Sequence, residues 1–208
     1  MWNSLGVGLT GLAFLGGCAM GVKHDYNQAA LDVGATSATV AVGTVDHRPY
    51  VTDGRKPPNF VGLSRGGFGN PFDITTKSGK PLASDISGSI VGSMKAKGVD
   101  AQAVELKPSL GNDASKSALL AAGTQRAVMI SLQEWKSDTM INIGFAFDFI
   151  LQVFDKDGTL LTSKTQQGNE NLGSTGFTPG GTEAVLPRFR RMMEVLFQDP
   201  DVVKALQP

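Results

Sequence analysis

The chain has 208 residues, of which 41% are hydrophobic, with 19 Lys plus Arg set against 19 Asp plus Glu. This balance provides no overall field to attract nucleic acid or an anionic surface, so neither is expected as a bulk electrostatic partner. One cysteine excludes an internal disulfide, two histidines are too few for a zinc site, and stability must come from a buried core.

Leu5 to Leu15 (LGVGLTGLAFL) is uncharged and apolar. It has the length of a signal-peptide core and falls short of the roughly 20 residues that cross a bilayer. Gly16 and Gly17 keep the chain slim, as a signal peptidase requires, and Cys18 follows. Residues 1–17 hold no Lys or Arg, so either the terminal amine supplies the usual positive charge or translation begins upstream of Met1. Leu15-Gly16-Gly17-Cys18 resembles the lipobox of bacterial lipoproteins. The resemblance implies removal of residues 1–17, a diacylglycerol thioether on Cys18 and an acyl chain such as palmitate on the new N-terminus. Each buried methylene contributes about 0.8 kcal/mol, and two or three chains anchor a protein firmly. Ala19 stands where an aspartate would resemble the inner-membrane retention signal. The resemblance therefore implies the periplasmic face of the outer membrane in a Gram-negative host.

Residues 19–37 are small and polar with no sustained period. They are expected as a flexible tether, so that 18–37 is lipidated cysteine plus tether and 38–208 a single periplasmic domain. Ala38 to Val45 reads as a strand ending in Asp46-His47-Arg48-Pro49-Tyr50, where Pro49 stops ladder donation. Residues 51–81 form a Gly/Pro-rich insert punctuated by Phe60, Val61, Leu63, Phe68 and Phe72. A structureless loop of that length is unusual, so the insert is expected to be packed down, with room for a short hairpin.

Leu82, Ile86, Ile90 and Met94 lie four apart, which predicts a helix over 82–97 closed by Gly98. A short strand over 101–106, a helix over 114–122 and a strand over 126–135 follow. Ile143, Phe145, Phe147, Phe149, Leu151 and Val153 then alternate as the strongest strand signal. Asp155-Lys156-Asp157-Gly158 turns the chain into a strand over 159–166. A Gly-rich loop over 168–181 leads to a helix with Leu186, Phe189, Met193, Leu196 and Phe197 on one stripe, and a short terminal helix ends near Leu206. The order β-α-β-α-β-β-β-α predicts a two-layer α/β sandwich, a mixed sheet of about five strands with helices on one face.

The lipobox, the strand ending in Val45-Asp46-His47-Arg48, the helix closing on Gly98 and the strand meander together resemble the YajG-like family of small bacterial lipoproteins. More distantly, they are similar to the periplasmic domain of the curli-secretion lipoprotein CsgG. The insert after Arg48 is longer than that pattern. The resemblance implies a non-enzymatic protein facing the periplasm.

His47 is the one side chain placed to serve as a general base, yet no nucleophile motif accompanies it, and a capping role for Asp46-His47-Arg48 fits better. Asp155-Lys156-Asp157-Gly158 lacks the later ligands of a calcium loop, and the stretch 65–72 lacks the Gly-Lys-Ser/Thr ending of a phosphate cradle. No cofactor is expected beyond the covalent lipid. Asp46, His47, Arg48, Tyr50, Phe68 and Phe72 are the candidate partner surface if the aromatic rings are exposed, and core if they are not. The leading expectation is a lipid-anchored module that binds another envelope protein. The alternative is a carrier of lipid or glycan with a cleft under residues 51–81.

Overall fold

The computed structural model describes residues 21–174 and 183–208; the leader and Cys18 lie outside them. The sheet is built on three long antiparallel strands, β6 (Arg126–Thr139), β7 (Asn142–Asp155) and β8 (Leu160–Ser174). The alternating side chains of β7, from Ile143 to Val153, are all buried, as their spacing predicts. The turn after β7 holds Gly158 at φ +83°, and Asp155 Oδ1 accepts from the amides of Asp157 and Thr159 at 2.9 and 2.8 Å. Strand β8 runs well past the expected 166. Gly168 belongs to it because the Phe147 ring lies across that position, where an added Cβ would come within 2.7 Å of the ring.

The other edge of β6 is shared by two strands. Its first half pairs in parallel with β2 (Val40–Asp46), and Ser137–Thr139 pairs in parallel with β3 (Phe60–Arg65). Between them a bulge separates Leu132 from Glu134. It shifts the inward-facing phase by one residue, from Val128, Ile130 and Leu132 to Trp135 and Ser137. β5 (Ala101–Ala103) extends the β2 branch. β4 (Pro71–Thr76) and β1 (Lys23–His24) extend the β3 branch. Among the described residues the sheet therefore has eight strands rather than about five. Part of the surplus is the hairpin that the insert forms.

Helix α2 (Leu82–Ala96) ends at Gly98, φ +80°, as expected. With α4 (Val185–Phe197) and α5 (Pro200–Leu206) it covers the face that carries Val40, Val42, Ile130, Trp135 and the β7 aromatics. The expectation of helices on one face needs correction. Helix α3 (Asn112–Leu120) packs on the opposite face, where Leu119 meets Ala41, Val45, Ala127, Met129 and Phe154. Every residue of β2 is buried, because this interior strand sends alternate side chains to each layer. A four-residue turn of helix, α1 (Pro49–Thr52), follows β2.

Residues 21–37 are not a tether. Tyr26 and Val33 are fully buried and Leu31 is nearly so. The Tyr26 ring stands edge-on to both Trp135 and Phe189, and its hydroxyl accepts from the Trp135 indole at 2.9 Å. The Leu31 amide donates to Ser93 Oγ of α2 at 2.9 Å. Isolated apolar side chains without a period leave no secondary-structure signature, yet each fills a gap beside α2 and α4.

Candidate functional site

Asp46, His47 and Arg48 sit where β6 changes neighbours from β2 to β3. Both Asp46 and Arg48 are completely buried. Arg48 Nε donates to Asp46 Oδ1 at 2.8 Å and Nη2 to Asp46 Oδ2 at 2.7 Å. The remaining donors reach main-chain carbonyls, Nη1 to Phe60 O at 2.6 Å and Nη2 to Pro58 O at 3.0 Å. Burial pulls the guanidinium pKa down, but the hydrogen bonds and charge of Asp46 more than offset this, leaving it above its ordinary value. The group thus fills the fork in the sheet and ties the main chain of Pro58 and Phe60 to the end of β2.

Tyr50 extends this cluster. Its hydroxyl oxygen lies 2.6 Å from Glu134 Oε1 and 3.0 Å from Trp135 O, and its ring stands edge-on to the buried Phe60. Burial raises the Tyr50 pKa, against the pull of the Arg48 charge. His47 turns the other way, half-buried, with Nε2 3.1 Å from Asn112 Oδ1 of α3. Asp46 and Arg48 are therefore interior, Tyr50 is packed beside them, and none forms an open surface. A buried ion pair with every arm bonded holds backbone in place, and nothing in this geometry activates a nucleophile.

The aromatic residues of the insert divide. Phe60 is core, whereas Phe68 is 98% exposed and Phe72 is 40% exposed. Arg65 pairs with Pro71, so residues 66–70 make the turn between β3 and β4, with Gly69 at φ +80°. Phe72 lies against Gly66, where a Cβ would meet the ring at 3.2 Å. Parallel pairing places Ser64 beside Thr139, which brings this turn to the same end of the sheet as Met140 and Ile141. Those two residues, also exposed, escaped the sequence reading. Their signal was available: two large apolar residues occupy a tight turn where small or polar ones are usual.

The insert is stitched into the sheet. β3 is bonded between β4 and β6, and the buried Phe60, Val61 and Ile74 fill the space the carrier reading would need as a cleft. A groove of about 420 Å³ between α2 and β5 touches only its last residues, Lys80 and Pro81. A second, of about 370 Å³, lies at the opposite end by Arg126, Asp201 and Lys204. Among the described residues β8 pairs with β7 alone, so no second strand lies along its far edge over Leu160–Gly173. Its side chains there include Thr165, Gln167, Asn169 and Asn171, all exposed.

Fold and site together define an α/β sandwich whose main buried polar cluster is structural and whose distinctive features are an open edge and an apolar tip. No protein-family model and no curated protein matches the chain. Among solved structures it is similar to protein XCC0632 from Xanthomonas campestris, at 13% identity and TM-score 0.46, over 83% of this chain and 91% of that one. It is similar to the PelC dodecamer from Paraburkholderia phytofirmans at 10% identity and TM-score 0.39, over 78% and 91%. A third likeness is to lipoprotein GNA1162 from Neisseria meningitidis, at 11% identity and TM-score 0.30, over 77% and 98%. Scores this low assign the chain neither partner nor activity, and they do not establish the resemblance to YajG-like proteins or CsgG.

Proposed function

We propose that this chain is a lipid-anchored, non-enzymatic interaction module of the bacterial cell envelope, held by Cys18 on the periplasmic face of the outer membrane. Its partner is another envelope protein, in an envelope assembly or a cell-wall-associated complex. The observation that carries the reading is the edge of β8 over Leu160–Gly173, which no further strand of the described residues covers and which suits an extended segment of a partner added as a further strand. The apolar leader ending at Cys18 supplies the anchor. Asp46 and Arg48, the charged neighbours of the one candidate general base, His47, are consumed in holding the fold. The carrier alternative has less support, because side chains of the insert occupy the space it needs.

Photoreactive residues at Thr165 and Asn169 in the native host test the edge. Discrete covalent adducts with one envelope protein are expected, and none from a residue on the exposed face of α3. Absence of any adduct along β8 would remove the edge as the binding surface. Mass spectrometry of the same protein tests the anchor separately, with acyl chains on Cys18 and loss of residues 1–17 expected.

A further inference from the structure

At one end of the sheet four large apolar side chains stand in solvent. Phe68 is 98% exposed, Ile141 54%, Met140 49% and Phe72 40%. Single exposed apolar residues need no explanation, but these four lie in, or next to, two turns that the β3–β6 pairing brings together. The opposite end is different in kind. The β7–β8 turn there presents Lys156 and Asp157, each about 70% exposed at the side chain, and the exposed Leu160 and Leu161 beside it, at 48% and 41%, share that end with these charges and lie far from the start of the described chain. Along the 14 residues of β6 the two ends are separated by roughly 45 Å.

The start of the described chain leads to the apolar end. β1 runs parallel to β4 with Lys23 beside Thr75. Two residues earlier, a Cβ at Gly21 would lie 3.2 Å from Asp73 O. Followed backwards, the backbone is thus directed along β4 towards Pro71 and the hairpin turn. Gly21 is three positions along the chain from Cys18, a reach of at most about 10 Å.

We infer that this end of the domain is a membrane-docking tip, with Phe68, Phe72, Met140 and Ile141 seated at the headgroup level of the bilayer that holds the acyl chains of Cys18. The inference rests on the reading of Cys18 as lipidated. Aromatic and aliphatic side chains at this depth keep polar backbone wet while removing apolar surface from water. Two of the cations near the turn are already paired, Arg65 with Asp138 at 2.6 Å and Lys56 with Asp73 at 2.5 Å, which lowers the cost of bringing them to the bilayer surface. An anchor so close makes insertion an intramolecular event, and a patch too small to bind membranes alone becomes sufficient. Docked in this way, the sheet stands on the membrane with β8 running down towards it from the distal turn.

The test uses full-length lipidated protein carrying Phe68→Trp, reconstituted in phosphatidylethanolamine and phosphatidylglycerol vesicles, with Asp157→Trp as the distal control. Emission is read on plain vesicles and on vesicles with brominated acyl chains, after subtracting the buried Trp135. The expected result is a blue shift and loss of emission to bromine at position 68, with neither at 157. Water-exposed, unquenched emission at 68 on protein whose Cys18 carries lipid by mass spectrometry overturns the tip and leaves the anchor standing. Equal quenching at both positions also overturns it, as adsorption without orientation. A bare Cys18 with the leader attached overturns anchor and tip together.

Discussion

Replacing Arg48 by methionine keeps most of the side chain's length and removes its charge and donors. Asp46 would then retain only the residue 48 amide, 3.2 Å from Oδ1, as a neighbour in place of two charge-assisted bonds. Removing one partner of a buried ion pair costs about 3–5 kcal/mol, because the remaining charge is stranded away from water. The Phe60 carbonyl loses its 2.6 Å donor as well, whereas that of Pro58 keeps the Leu82 amide at 3.1 Å, and an unsatisfied buried acceptor costs about 1–3 kcal/mol. These losses share one site and do not simply add, so a decrease of about 4 kcal/mol or slightly more is expected, a large part of a typical domain's 5–15 kcal/mol. Urea unfolding followed by the emission of the buried Trp135 measures it. The double variant Asp46→Leu, Arg48→Met removes the stranded carboxylate and is expected to recover about 1–4 kcal/mol of that loss. A loss under about 1 kcal/mol in the single variant, or a double variant no more stable than the single, would refute the account of Arg48 as the pin of the forked sheet.

Two further perturbations probe other parts of the fold. His24 is 3% exposed, its Nε2 has no hydrogen-bond partner among the described residues, and burial lowers its pKa from 6.5 to about 4. Between those values the unfolded chain binds the proton and the folded chain does not. Stability from this group is therefore full above pH 6.5 and lost progressively down to about pH 4, by about 3 kcal/mol in total. His24→Phe should remove that component, seen as a smaller shift of urea midpoint between pH 7.5 and 4.5; an identical shift in both proteins would contradict the assignment. At Gly62 an added Cβ would lie 2.2 Å from Ser137 Oγ and 2.6 Å from its carbonyl oxygen, where β3 runs closest to β6. Gly62→Ala should cost about 1–3 kcal/mol in thermal unfolding, against almost nothing for Gly67→Ala in the open turn. Equal melting of the two variants would argue against that close approach.

What the sequence by itself determined was local. The alternation along β7, the stripe of α2 with its closing Gly98 and the Asp155–Gly158 turn are properties of neighbours, and each is found where its pattern predicts. The hairpin in the insert was also legible, from apolar residues set between turn dipeptides. Tertiary structure alone decided the rest. The β6 bulge turned Trp135 inward against the phase of Val128, Ile130 and Leu132, and so made the pocket that Tyr26 fills from 109 residues away. Burial on both faces of β2 required α3 on the far side from α2, a choice that no amphipathic stripe encodes. Asp46-His47-Arg48 read as an exposed polar strand end because nothing nearby announces that β6 exchanges β2 for β3 there. Phe60 and Phe68 are the same residue type in the same insert, yet one is core and the other solvent. Periodicity records which side chains share a face of one element; which faces meet depends on chain crossings that leave no mark in the intervening residues.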